Sequence, residues 1–210
     1  MKEAVGFNYK NEAPGGAQEY IVPHLLKLLA EKQIRGKILD VGCGNGSMAR
    51  SLEAHGHEIW GCEWDPAGVE IANRVKPGRF MRLDLNESLE RFPWRNFQAV
   101  ISSEVIEHLY LPRNLLRLAC QVLVPGGLLI LTTPYHGYFK NLALCVAGKW
   151  DRHHDVGHDG GHIKFFSPVS LRKIMIEEGF ESEGWRGCGR IFGLWKSMLM
   201  WGKKNNKQPI

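Results

Sequence analysis

The chain has 210 residues, of which 44% are hydrophobic, and its 27 basic and 22 acidic side chains give a formal net charge of +5. This length and apolar content predict one globular domain, 1–210, that buries its core without disulfides or a structural metal. The five cysteines include no C-x-x-C pair, and no signal peptide or run of about 20 apolar residues occurs. We therefore expect a cytoplasmic protein and exclude a disulfide scaffold, a zinc knuckle and an integral membrane protein.

Short apolar runs alternate with longer stretches at helical spacing, which predicts a parallel sheet covered by helices. In chain order the predicted elements are helix 20–32, strand 37–41, helix 47–54, strand 58–63, helix 66–75, strands 80–83 and 99–102, helix 111–124, strand 128–132, helix 167–178, and strands 180–187 and 194–201. Asp65 and Ser167 each precede a proline and are expected as N-caps. Pro23 is expected in the first turn of its helix, and 125–127, Pro-Gly-Gly, predicts a turn.

The segment 38–46, I-L-D-V-G-C-G-N-G, runs from the first predicted strand into closely spaced glycines. Glycines let a backbone approach a ligand at the carboxyl end of a strand. A dinucleotide would favour G-x-G-x-x-G, with its pyrophosphate at the helix N-terminus, whereas Gly42, Cys43 and Gly44 belong to G-x-G-x-G. Asp40 can accept N–H bonds from the backbone or the ligand, which suits a ligand that carries an amino acid. S-adenosyl-L-methionine is such a ligand.

The pattern D-V-G-C-G-N-G resembles motif I of the class I S-adenosylmethionine-dependent methyltransferases, and the resemblance extends from about residue 36 to residue 180. It implies an α/β fold with a Rossmann-like, doubly wound sheet of seven strands. The first five strands are predicted from the apolar pattern itself, whereas the last two are predicted partly from the resemblance. It also implies a methyltransferase whose cofactor is S-adenosyl-L-methionine.

Further cofactor-binding positions follow the second, third and fourth strands. Glu63 ends the second strand, where an acid can accept both ribose hydroxyls of an adenosine, and Trp64 can pack on adenine or belong to the core. Asp84 with Leu85 resembles the acid of the family that receives the adenine amino group, and a surface aspartate is the alternative. Ser103 follows the fourth strand and is expected beside the cofactor.

The segment 103–108, S-E-V-I-E-H, lies where the acceptor should meet the methyl group. On one helical turn Glu104, Glu107 and His108 face the same way, and two carboxylates beside an imidazole favour a bound cation. We expect Mg²⁺ or Zn²⁺, which would hold two adjacent acceptor oxygens and lower the pKa of the attacked hydroxyl. Alternatively, Glu107 and His108 only cap or orient the neighbouring loops.

This segment resembles two groups of methyltransferases: the ubiquinone-pathway O-methyltransferases that act on catechols, and the small-RNA 2'-O-methyltransferases that hold a metal in such a cluster. In the RNA group a downstream histidine completes the ligand set, and His162 stands at the matching place. His162 is also a candidate general base. The stretch 150–162 is rich in His and Asp, and from it we expect His154 and His158 to act as bases or contact the acceptor.

Residues 135–162 are predicted to form a substrate lid. The ubiquinone-pathway enzymes have a similar apolar insert that contacts membrane, so we expect peripheral membrane contact through 135–150, with a helix packed on the domain as the alternative.

The sequence thus predicts an O-methyltransferase for a small-molecule or lipid-linked acceptor with adjacent oxygens, such as a catechol or a sugar. One alternative is methylation of an RNA 3' end, but the chain lacks an evident basic groove, which argues against nucleic acid. A second alternative is a metal-independent enzyme with a histidine base. The third is a cofactor-binding protein without catalysis, against which the acidic positions and the histidine-rich lid argue.

Overall fold

The computed structural model describes residues 9–87, 89, 92–154, 157 and 160–205. Within these residues it has seven strands, which are β1 Lys37–Val41, β2 Glu58–Glu63, β3 Phe80–Arg82, β4 Phe97–Ser103, β5 Leu123–Pro134, β6 Phe180–Cys188 and β7 Ser197–Lys204. The helices are α1 Gln18–Glu31, α2 Ser47–Glu53, α3 Pro66–Val75, α4 Pro112–Val122, α5 Tyr138–Val146, α6 Trp150–His153 and α7 Pro168–Glu177. A 3₁₀ turn, Ile106–His108, follows β4.

The strands form one sheet in the order β3-β2-β1-β4-β5-β7-β6, which confirms the predicted seven-stranded Rossmann-like fold. Strands β1 to β5 are parallel, while β7 runs antiparallel to both β5 and β6. The connection between β6 and β7, residues 189–196, is too short for a parallel crossover, which needs a dozen or more residues. The strand order reverses between β1 and β4, and ligands bind at that crevice in sheets of this kind.

Both faces of the sheet are covered by apolar side chains from helices. Leu25 and Leu28 of α1 pack with Ile38 and with residues of α2 on one face. Leu115 of α4 and Leu171 of α7 pack with residues of β1, β4 and β5 on the other face. This two-sided burial accounts for the continuous apolar runs of the central strands and holds their carboxyl ends rigidly in one row.

The predicted bounds of the elements differ from the observed ones by at most two residues, except in β5 and β7. Strand β5 begins at Leu123, five residues earlier than predicted, because Leu123 already pairs with Phe97 of β4. The expected turn at 125–127 does not end the strand; it lies inside β5, where the pairing with β4 shifts register before Leu128 pairs with Ala99. Strand β7 begins at Ser197, three residues later than predicted, because Trp195 packs on Gly187 and Tyr135 from within the preceding loop.

The expectation for Pro23 was wrong. Helix α1 begins at Gln18, two residues earlier than predicted, so the proline lies inside the helix beyond the first turn. The N-caps at Asp65 and Ser167 are confirmed, because Asp65 accepts from the amide of Ala67 and Ser167 forms a capping box with Ser170.

Candidate active site

A cavity of about 670 Å³ opens at the carboxyl ends of β1, β2 and β4. All nine residues predicted to bind the cofactor line it, namely Asp40, Gly42, Cys43, Gly44, Glu63, Trp64, Asp84, Leu85 and Ser103. Glu104 and His108, from the segment predicted to bind metal, line the same cavity. The fold therefore brings the predicted cofactor residues and part of the predicted metal site to one space.

The first glycine of the turn joins the two halves of this site. Gly42 has φ +78°, and a Cβ added to it would lie 2.3 Å from Cγ2 of Val105, in the segment that carries the predicted metal ligands. Only glycine satisfies both this left-handed backbone and the close approach. The neighbouring Cys43 is buried, and burial raises the pKa of its thiol well above the ordinary value. Its side chain belongs to the core, so it is the backbone at this position that can face a ligand.

The carboxylate of Glu63 ties the ends of β1 and β2 together. It accepts from the amide of Gly44 at 3.0 Å and from the amides of Trp64 and Asp65 at 2.8 and 3.0 Å. Burial raises the pKa of Glu63, and these three amides oppose the increase. A carboxylate can accept about four hydrogen bonds, and three positions of Glu63 are taken by these amides. About one position therefore remains for a ligand hydroxyl.

Asp40 offers the clearest test of whether the cavity fits S-adenosylmethionine. This side chain is buried, and its Oδ2 has no hydrogen-bond partner within the described part of the chain. Burial, with the nearby Glu63, raises the pKa of Asp40 to about 7. An unpaired buried carboxylate oxygen is costly unless a cationic or N–H donor completes it. The amino-acid part of the cofactor carries such a donor, so the residues fit this ligand.

The remaining predicted cofactor residues contribute in smaller ways. Oδ1 of Asp84 accepts from the backbone and side-chain amides of Asn86, at 2.8 and 2.9 Å, which fixes the loop after β3. The carbonyl of Leu85 accepts from Asn114, and the hydroxyl of Ser103 lies 2.9 Å from that of Thr132. These contacts make the loops after β3 and β4 firm walls of the cavity.

Three of the predicted metal ligands converge beside the part of the cavity lined by His108, which we call its acceptor end. One potential ligand atom each from Glu107, His108 and His162 lies within 4.8 Å of the other two. Glu107 is fully buried, its Oε2 accepts from Thr133 at 3.0 Å, and its Oε1 has no partner among the described residues. Burial and then Glu104 raise the pKa of Glu107 well above the ordinary value. This orphaned oxygen beside two imidazoles fits a divalent cation.

Backbone hydrogen bonds bring His162 to this position. The amides of Ile163 and Lys164 both donate to the carbonyl of Glu107 at 3.0 Å. His108 Nδ1 lies 2.8 Å from the carbonyl of Gly160, so it carries the proton, and Nε2 lies 4.0 Å from Oε1 of Glu107. A carbonyl that fixes the tautomer in this way is typical of histidines that bind metal.

Glu104 does not belong to this group of three. It has φ +54°, a left-handed conformation that is uncommon outside glycine. Its carboxylate accepts from Thr132 at 2.9 Å and from Ser197 at 3.0 Å, while burial raises its pKa to about 7. The strained backbone turns this side chain toward β5 and β7, so its role as a metal ligand stays a prediction.

The described candidate bases of the lid, His154 and His162, make different ring contacts. His162 is next to His108, with ring centroids 4.9 Å apart, and partial burial and then His108 lower the pKa of His162 to about 4. The ring of His154 packs on Trp150 instead, at 4.3 Å between centroids. His158 lies outside the described residues.

Sequence analysis missed several residues of the site. Lys140 lies in α5, where a lysine suggests a solvent-facing position, yet it is buried and donates to the carbonyls of Tyr135 and Lys196. Burial and Arg190 lower the pKa of Lys140 to about 8. Tyr9 and Asn45 also line the cavity. Asn45 lies between Gly44 and Gly46 in the glycine motif, and this position could have identified it as a residue of the site.

Comparison with known proteins agrees with this geometry. A family model described as a methyltransferase domain matches residues 15–183. The human mitochondrial ubiquinone biosynthesis O-methyltransferase is 34% identical over 175 residues, which cover 76% of this chain and 47% of that protein. The Psychrobacter arcticus ubiquinone biosynthesis O-methyltransferase is 28% identical over 161 residues, 72% of this chain and 62% of the relative. The chain thus spans about half to two thirds of the length of these relatives.

Solved structures share the fold. A Pyrococcus horikoshii protein superposes with a TM-score of 0.68 at 18% identity, covering 96% of this chain and 97% of the other. The Synechocystis magnesium protoporphyrin IX methyltransferase, solved with bound S-adenosylhomocysteine (SAH), has a TM-score of 0.65 at 16% identity, covering 88% and 82%. The family match, the seven-stranded sheet and the glycine turn place the chain in the methyltransferase domain family, as a class I S-adenosylmethionine-dependent methyltransferase.

Proposed function

We propose that this protein is an S-adenosylmethionine-dependent O-methyltransferase that uses a divalent cation, Mg²⁺ or Zn²⁺, to hold an acceptor with two adjacent oxygens. One observation carries the proposal: the cavity lined by Asp40 and Glu63 is also lined by His108, which belongs to the group with Glu107 and His162. A cofactor site and a candidate metal site therefore share one space.

The residues at the cofactor end hold and orient rather than react. Asp40 supplies a buried acceptor for the amino group of the cofactor, and Glu63 supplies one for a ribose hydroxyl. The glycine turn brings the backbone close to the ligand. Bound S-adenosylmethionine supplies the methyl group on its sulfonium, and holding both reactants in line accounts for much of the rate enhancement.

At the acceptor end, Glu107, His108 and His162 would hold the cation. A divalent cation there would lower the pKa of a hydroxyl bound to it, so that the nucleophile forms near neutral pH. Thr133 orients the carboxylate of Glu107, and the carbonyls of Gly160 and Gly161 orient His108. The proton on Nδ1 leaves Nε2 as the nitrogen of His108 that would bind the cation, and these contacts hold the ring in that orientation.

Of the three histidines in the alternative of a lone base, His154, His158 and His162, the last is a weak candidate. The low pKa of His162, about 4, makes its imidazole a weak base at neutral pH, whereas efficient general bases have pKa values near the operating pH. The same low pKa favours the neutral form that a metal requires. His162 therefore suits a metal ligand better than a base.

The lid suggests the kind of acceptor. Helix α5 exposes Tyr138, Phe139 and Val146, with 75%, 71% and 81% of their surfaces accessible. Such a row of exposed apolar side chains suits peripheral contact with a lipid surface or the tail of a lipid-linked acceptor. No helix among the described residues is long and apolar enough to cross a membrane. The relatives named for ubiquinone biosynthesis make a catechol with an apolar chain the first acceptor to test.

Calorimetry tests the proposal. SAH is titrated into the protein, and Mg²⁺ or Zn²⁺ is then titrated into the complex, for wild type and for Glu107→Gln. We expect SAH to bind both proteins equally and the metal to bind only wild type at about one equivalent. Metal binding that survives the substitution would refute the assigned site. Metal that binds neither protein would leave a histidine base as the mechanism, and binding of a short RNA in a filter assay would favour the RNA alternative.

A further inference from the structure

The segment that precedes α1 crosses the mouth of the cofactor cavity. Tyr9, Asn11, Ala13 and Gly15 all line the cavity, although they belong to no helix or strand. Residues 9–17, which we call the strap, are otherwise mostly exposed. A ligand that enters the cavity therefore lies between the strap and the glycine turn.

The strap is attached to the glycine turn by one buried side chain. Asn45 donates through Nδ2 to the carbonyls of Asn11 and Ala13, at 2.8 and 2.9 Å. Its Oδ1 accepts from the amide of Ser47 at 3.1 Å, at the start of α2. Arg50 adds a second attachment, since it donates to the carbonyls of Asn45 and Glu12.

Tyr9 places its ring directly over the glycine turn. A Cβ added to Gly44 would lie 2.6 Å from the hydroxyl oxygen of Tyr9, and one added to Gly68 would lie 3.0 Å from Cδ2 of the ring. Gly44 therefore leaves room for this ring as well as for a ligand, and Gly68 leaves room for the ring and for the carbonyl of Gly44. Burial, then the nearby Glu63, raises the pKa of the Tyr9 hydroxyl, so the residue stays a neutral donor.

The far end of the strap has the features of a hinge. Gly15 and Gly16 are exposed, and a Cβ on either would meet no described atom within 4 Å. Beyond them the chain is firmly held, because Gln18 donates to the hydroxyl of Ser47 at 2.6 Å and begins α1. The strap can thus rotate at the glycines while α1 stays in place.

We propose that residues 9–17 close over the bound cofactor as a strap, with Asn45 as its latch and Tyr9 as a residue that contacts the cofactor. The inference rests on the proposed function, because it requires that S-adenosylmethionine or SAH occupies this cavity. It assigns to Asn45 a positioning role that the glycine motif alone does not explain. The strap opens to admit the ligand and slows its departure when the latch is made.

The variant Asn45→Asp tests the latch with little other change. Aspartate keeps the oxygen that accepts from Ser47 but replaces the donor with an oxygen that faces two carbonyls. Because the variant loses both hydrogen bonds to the strap, we expect SAH to dissociate about tenfold faster, which corresponds to about 1.4 kcal/mol. Stopped-flow tryptophan fluorescence measures this rate, since Trp64 lines the cavity.

The matched control is Asn73→Asp. Asn73 also donates to a carbonyl, that of Phe80 at 2.8 Å, and accepts from the amide of Gly78, but it does not line the cavity. Its SAH dissociation rate should stay within about twofold of wild type, since its lost hydrogen bond is not part of the latch. Hydrogen exchange supplies a second readout, in which SAH should slow exchange of residues 9–17 in wild type.

Several outcomes would overturn the inference. Equal dissociation rates for the two aspartate variants would show that Asn45 is no latch. Faster exchange of residues 9–17 on SAH binding, or tighter SAH binding by Asn45→Asp, would show that the strap obstructs the ligand instead. If Asn45→Asp does not fold, Arg50→Met, which removes the bond to Glu12, takes its place. Failure of wild type to bind SAH would refute the proposed function itself.

Discussion

The two ends of the cavity are constructed differently. At the cofactor end, Asp40, Gly42, Gly44 and Glu63 come from one β-α-β unit, and short hydrogen bonds between adjacent strands hold them together. At the acceptor end, His162 comes from a distant loop, which is held to the segment after β4 by backbone bonds to Glu107 and by the bond from His108 to Gly160. A site built from one unit depends on local backbone geometry, whereas a site assembled from distant segments depends on the packing of the whole fold.

The largest effect is expected at the assembled end. Glu107→Gln should lower methyl transfer to a catechol by about 100-fold or more, because a metal that stabilises developing charge contributes several kcal/mol. SAH affinity should not change, since the other end of the cavity stays intact. Initial rates at saturating cofactor, with metal added and after chelation, measure the effect.

Glu104→Gln is the paired variant, since Glu104 is half-buried and lines the same cavity but accepts from Thr132 and Ser197. Metal affinity that stays within about threefold of wild type would set Glu104 apart from the ligands. A loss equal to that of Glu107→Gln would restore Glu104 to the metal set, as the sequence predicts.

The second largest effect is expected at the cofactor end, on the stability of the fold. Gly42→Ala should reduce the free energy of unfolding by about 2 to 4 kcal/mol, because the left-handed backbone is strained and the new Cβ meets Val105. Urea denaturation measures this loss, and SAH calorimetry should show weakened binding. Gly78→Ala is the control: Gly78 has φ +80° but no described atom near its Cβ, so we expect only about 1 kcal/mol. Equal losses would mean that contact with Val105 does not matter.

The titration of Asp40 makes both protein stability and SAH affinity depend on pH at the cofactor end of the cavity. Asp40 has a folded pKa of about 7, above the ordinary value of 3.8, so the folded protein binds more protons between these values. The stability that this group contributes is therefore complete below about pH 4 and is lost as the pH rises through 7. Binding of a cationic amino group shows the opposite trend, since it needs the carboxylate. SAH affinity should rise about tenfold from pH 6 to pH 8.

The variant Asp40→Asn checks the origin of this slope. It should bind SAH weakly and with little change between pH 6 and pH 8, and its unfolding free energy should fall less steeply with pH than that of wild type. A wild-type slope that persists in the variant would assign the titration to another group, of which Glu104 is the nearest in pKa.

The smallest effect is expected at the lid. Replacing Tyr138 and Phe139 together by serine should lower the fraction of protein that sediments with anionic vesicles by a few-fold, because less apolar surface is buried. Val169→Ser is the control, since Val169 is 78% exposed but lies on α7. A similar decrease in both variants would indicate general adhesion rather than contact through 135–150.

Much of the fold could be predicted because its determinants are local. The alternation of apolar runs, the N-caps at Asp65 and Ser167 and the spacing of the glycines depend on residues close in the chain. Predictions were less accurate for elements whose bounds depend on contacts between residues distant in the chain. The start of β7 depends on how Trp195 packs against Gly187 and Tyr135, which no local pattern encodes.

The sequence established the order of the elements and the positions of Asp40, Glu63 and the glycine turn, because each lies at or just after the carboxyl end of a strand whose direction is known from the pattern. Tertiary structure decided which acid faces the candidate metal site: the left-handed backbone at Glu104 turns that carboxylate toward Thr132 and Ser197, while Glu107 keeps an oxygen without a hydrogen-bond partner among the described residues. It also decided that Tyr9 lies over Gly44 and that Lys140 is buried. Such features arise from contacts between segments distant in the chain, which spacing along the sequence does not specify.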